Sequence, residues 1–189
     1  MAGALIAYNN FRPELEGARY VWVNVLVGFL LGGSALGPLG SDTRELGVKG
    51  NRPRVVLAAG AGALALVIPL FVLAAFESTA RFVADERAAG LSGEQIAFET
   101  LIRIPIGTAL FEEFAFRGAL FGLFSRRGRL FGAVASSIAF GLWHIRPTVE
   151  AIEANTSNAS AAATTVLVVT AVVVTGVVGA ALCWLRVRG

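Results

Sequence analysis

One cysteine and one histidine are all that the 189 residues supply, and each scarcity closes off some chemistry. Cys183 has no second cysteine for an internal disulfide, and no thiol pair exists for redox or thiolate metal work; in its apolar run it reads as an inert core residue. A zinc helix of the HExxH kind needs two imidazoles one turn apart, so His144 alone excludes it, and any bound metal would have to take carboxylates as well. Charge is scarce too. Only 15% of the residues are Asp, Glu, Lys or Arg, and the net +3 comes from 16 basic and 13 acidic side chains spread along the loops. No basic cluster is interleaved with aromatics, so nucleic acid is not an expected partner.

Apolar residues, by contrast, make up 56% of the chain, above the roughly 45 to 50% of a soluble domain, and this implies a membrane protein. A helix needs about 20 apolar residues to cross the hydrocarbon core. Two stretches, Tyr20 to Ser41 and Val55 to Phe76, meet that length without a charge. The first begins after Arg12, Glu14, Glu16 and Arg19 and is longer than the core of a secretory signal, so it reads as a retained span. Its Gly28-x-x-x-Gly32 suits close helix packing, with intramolecular contacts as good an explanation as a dimer.

Mixed charge from Glu77 to Arg103 predicts a loop or an interfacial helix. Within it, Ser92-Gly-Glu-Gln95 has the spacing of a capping box and should open a helix, which Pro105 should kink before the third span, about Ile104 to Phe124. A polar break at Arg126 to Arg129 and a fourth span of about Leu130 to Ile145 then form a helical hairpin, with Arg146-Pro147 discouraging further helix. Ala154 to Leu185 is free of charge for 32 residues: its Ser-, Thr- and Asn-rich beginning reads as loop, the remainder as a fifth span ending at Trp184. Asn155-Thr-Ser and Asn158-Ala-Ser match glycosylation sequons, a pattern common by chance. The expectation is one all-α domain over residues 1–189, a polytopic membrane helix bundle of about five transmembrane helices. Five spans put the termini on opposite sides. Nine Lys and Arg on one side against six on the other place the C-terminus in the cytoplasm by the positive-inside rule.

Three charges interrupt the third span, and ionisable residues inside a membrane normally face a polar cavity with a function. Glu113 and Arg117 stand at i and i+4 with the acid first, the favourable order for a pair on one face. Glu112 projects about 100 degrees away around an α-helix, so it can face a different environment and act as a general base. His144 lies at the far end of the fourth span, one turn after Phe140. With the hairpin turning near Arg127, Glu112 and His144 both lie roughly 22 to 26 Å along antiparallel helices at about 1.5 Å per residue. Carboxylate and imidazole should therefore meet at one depth, where they could act together on water or a substrate carbonyl.

The order EExxxR (Glu112, Glu113, Arg117) then FxxxH (Phe140, His144) resembles the first two motifs of the CPBP family of intramembrane proteases, which groups CAAX-processing endopeptidases with bacteriocin-processing and self-immunity proteins. The flanking Phe114-Ala-Phe116-Arg-Gly118 and Ser136 to His144 are similar to the family's wording, and the likeness covers a partial core over residues 93–185. It implies that Glu112 activates the attacking water, that Arg117 supports Glu113, and that His144 assists catalysis or ligates a metal, with zinc as the candidate and Glu112 and His144 as its ligands. Whether such an enzyme is metal-dependent or glutamate-dependent stays open on these residues. The implied partners are a peptide or protein substrate, prenylated or otherwise membrane-associated, and the lipid bilayer of a bacterial cell membrane.

The family's third motif, a second histidine with an asparagine one turn on, is not in this sequence. A fragment of a longer protein is the favoured expectation, and a member with an incomplete site the other. The leading function is an endopeptidase using glutamate-activated water; the alternative is a non-catalytic membrane scaffold or immunity factor in which Glu113 and Arg117 only lock helices. A transporter would need further polar groups from the first two spans, which supply almost none. A serine protease would need Ser and His on different helices, whereas Ser136 and Ser137 share one with His144.

Overall fold

The computed structural model describes residues 1–11, 15–37, 40, 76 and 85–188. The expected span from Val55 to Phe76 falls outside the described residues but for its last residue. Every element in the described part is helical. Helices α1 (Ala2–Phe11) and α2 (Gly17–Leu36) come first. A long continuous helix over residues 93–125 follows, opening as α3 (Gly93–Phe98) and closing as α4 (Phe121–Ser125). Then come α5 (Arg129–Trp143), α6 (Ile145–Asn155) and α7 (Ala161–Arg188).

Local chemistry sets the ends of these elements. Ser92 accepts from the Gln95 N–H while the Gln95 side chain accepts from the Ser92 N–H, the reciprocal cap that the sequence predicts for α3. Gly128, at φ +123°, makes the turn into α5, a backbone angle that a Cβ would strain. Around Pro105, Glu99–Leu110 and Glu113–Leu120 are wound with i→i+5 hydrogen bonds, and the helix continues past the missing N–H. One expectation needs correction. Pro147 does not end helix but sits in the first turn of α6, where a backbone N–H has no partner within the helix anyway.

Helices α2 and α7 are both long and apolar enough to cross a bilayer. Their outer faces carry Trp22, Phe29, Val166 and Val177, each more than half exposed, a surface suited to lipid rather than water. The protein is therefore an all-α membrane helix bundle. Its core gathers Leu5 of α1, Phe111, Phe116 and Leu120 of the long helix, and Ala139, Phe140 and Trp143 of α5. α7 lies along α5 so closely that a Cβ on Gly141 would stand 2.5 Å from the Val172 carbonyl oxygen, and one on Gly179 3.2 Å from the Phe140 ring. Outside the bundle, the Arg87 guanidinium hydrogen-bonds the Asp85 carboxylate and holds it well below the usual carboxylate range; Asn155 at the end of α6 also donates to it.

Candidate active site

The i→i+5 turns and the antiparallel run of α5 bring the two motifs face to face. Ser136 Oγ donates to the Phe116 carbonyl at 2.6 Å, pinning α5 to the long helix in the middle. Towards the end of α5, Trp143 Nε1 donates to Glu112 Oε1 at 3.0 Å. The indole is 3% exposed and wedged among aromatic rings, with centroids 5.7 Å from Phe111 and 5.5 Å from Phe116. This donor fixes one oxygen of the carboxylate in a half-buried position next to the residue that precedes His144.

His144 occupies the break between α5 and α6, at φ −85° and ψ 3°. Its Nδ1 lies 2.8 Å from the Phe140 carbonyl oxygen. A carbonyl can only accept, so Nδ1 carries the hydrogen and Nε2 of the neutral ring is left as an acceptor. The imidazole also rests edge-on against the Phe140 ring, with centroids 4.6 Å apart. No hydrogen bond or ion pair joins Glu112 directly to His144 among the described residues; the two are linked through Trp143 and share its end of α5.

Arg117 and Glu113 form the pair that the spacing predicts, at 3.4 Å, but unevenly. The arginine side chain is 4% exposed and the glutamate 51%. The guanidinium carbon sits 3.9 Å from the centre of the Phe140 ring, over its face. None of the three guanidinium nitrogens makes a hydrogen bond among the described residues, so cation–π contact and the loose ion pair are what hold this charge. Phe140 thus connects Arg117 on one side to His144 on the other.

Glu112 and His144 offer donor types that zinc accepts, yet a catalytic zinc site takes three protein ligands. Among the described residues no three His, Cys, Asp or Glu come together to hold a metal ion. The described donor set does not make a zinc site.

Several residues here were missed by sequence reasoning. Trp143 stood inside the FxxxH phrase but was taken as flanking wording. Asn24, fully buried in α2, donates from Nδ2 to the Gly107 carbonyl of the long helix at 2.8 Å and accepts from the Tyr8 hydroxyl at 2.7 Å. A lone asparagine in a 20-residue apolar helix was the available signal.

A family model, Type II CAAX prenyl endopeptidase Rce1-like, matches residues 95–189, a stretch that contains both motifs. The chain belongs to this family. No curated protein and no solved structure matches it. Membership makes the protein one of a family of endopeptidases, consistent with the CPBP likeness of Glu112, Glu113, Arg117 and His144. Residues 1–94, which include α1 and α2, lie outside the match.

Proposed function

We propose that this chain is a multi-pass intramembrane endopeptidase in which Glu112 activates the attacking water. The observation that supports it best is the Trp143 N–H on Glu112 Oε1, which leaves the other carboxylate oxygen for a proton and ties the carboxylate to the end of α5 where His144 sits. Glu112 takes a proton from water as the water oxygen attacks the scissile carbonyl carbon. The carbonyl oxygen becomes an oxyanion, the charge that a site of this kind has to stabilise. When the C–N bond breaks, Glu112 returns the proton to the leaving amine and is regenerated as carboxylate. His144 Nε2, the acceptor end of the ring, binds the second hydrogen of the water and holds it in line. Arg117 pairs with Glu113 and braces the Phe140 ring against which the imidazole rests.

The substrate in this reading is a peptide segment, prenylated or otherwise membrane-associated, in a protein of the same bacterial membrane. A non-catalytic scaffold is the second reading, favoured by the buried Arg117 that ties Glu113 to Phe140 and so locks the long helix to α5. One substitution separates the two. In proteoliposomes offered a prenylated peptide, Glu112→Gln should lower cleavage by on the order of 100-fold or more while insertion and thermal unfolding stay as in the parent. Cleavage retained by that variant would remove Glu112 from the mechanism, and a parent that cleaves nothing would favour the scaffold.

A further inference from the structure

The polar side chains near the end of α1 hold the corner on which His144 sits, although α1 lies outside the family match. α5 ends at Trp143, so the carbonyls of its last turn lack N–H donors within the helix. Asn9 Nδ2 donates to the Trp143 carbonyl at 2.6 Å, and Asn10 Nδ2 donates to the Leu142 carbonyl at 3.2 Å. Across the break, the Arg146 N–H in the first turn of α6 is an orphan donor of the opposite kind, and it donates to Asn10 Oδ1 at 2.9 Å. Two neighbouring amides therefore tie down both sides of His144, whose ψ near 0° breaks the helical path between α5 and α6.

This attachment reaches Glu112 by two routes. Asn9, 3% exposed, grips the backbone of the same Trp143 whose indole donates to Glu112. Tyr8 lays its ring against Trp143, with centroids 6.2 Å apart, and its hydroxyl donates to Asn24, which in turn binds Gly107 on the helix that carries Glu112. An apolar α1 would fill the same space, so packing alone gives no reason for burying an amide here.

We propose that Asn9 and Asn10 are positioning residues: they fix the Trp143–His144 corner, and with it the mutual placement of imidazole and carboxylate. The proposal rests on the reading of Glu112 and His144 as the reacting pair. The substitutions are Asn9→Ala, Asn10→Ala and Asn10→Asp, the last keeping Oδ1 for the Arg146 N–H while losing the donor to Leu142. Each is made in the full chain, in a background with Trp22→Phe and Trp184→Phe so that Trp143 is the sole emitter. Asn9→Ala and Asn10→Ala should lower kcat by on the order of 10- to 100-fold with KM within about twofold, as expected when reacting groups are misplaced by about an ångström. Asn10→Asp should fall between its parent and Asn10→Ala, and Trp143 emission should move to the red in both alanine variants. Unchanged kcat, or a loss that only follows the folded fraction with Trp143 emission unmoved, would overturn the assignment. In a parent that cleaves nothing, a red shift would support the clamp and sink the hydrolytic reading beneath it; an unmoved emission would sink the clamp itself.

Discussion

Trp143 does two things at once, and they are separable. Its ring fills the space among Tyr8, Phe111 and Phe116, and its N–H holds Glu112. Trp143→Phe keeps most of the first role and deletes the second. A hydrogen bond to a charged group contributes about 1.5 to 3 kcal/mol, so this variant should lower kcat by about tenfold or more, with KM little changed in the same proteoliposome assay. Glu113 makes a contrasting case. The spacing of Glu113 and Arg117 gave their pairing correctly, because i and i+4 remain neighbours in a wide helix as in an α-helix. What spacing could not give is the asymmetry in which the arginine is sealed under Phe140 and the acid is half exposed. That depends on α5 and α7 closing over one side of the long helix.

At the scale of elements, the signals that the sequence displays locally were legible. The capping box starts α3, the Arg126–Arg129 break turns the hairpin, and the apolar runs become α2 and α7. The i→i+5 winding was not legible, since it is a response of the whole helix to Pro105 and to packing on both sides, with no residue pattern of its own. α1 went unread because its Tyr8-Asn9-Asn10 run looks like loop until the carbonyls at the end of α5 are there to receive it. Gly28 and Gly32, which the sequence marks for close packing, face Phe111 and Phe114, where a Cβ would stand 3.6 and 2.9 Å away. Gly141→Ala would put a Cβ 2.5 Å from the Val172 carbonyl oxygen, which neither backbone can accommodate without moving. The expected loss is on the order of 1 to 3 kcal/mol, seen as a lower thermal midpoint in detergent, whereas Gly93→Ala, with open space around it, should stay near the parent.

Taken as a whole, the molecule has two chemically distinct ends. Arg126, Arg127 and Arg129 at the hairpin turn share one end with Arg186 and Arg188 of α7, because α7 runs antiparallel to α5. Trp143, His144 and the mixed-charge α6 mark the other. By the positive-inside rule the arginine-rich end is expected in the cytoplasm. In a Cys183→Ser background, Arg127→Cys should then react with a membrane-impermeant maleimide only in inside-out vesicles. Labelling from the outside of intact cells would reverse the orientation and turn the His144 end towards cytosolic, prenylated tails.

The close glycine seam between α5 and α7 leaves no slack for sliding or parting. A displacement of α5 would therefore carry α7 and the imidazole with it. On the α2 side, by contrast, an apolar furrow of about 450 Å³ runs between Gly28 and Phe111 and leaves that face with room to yield.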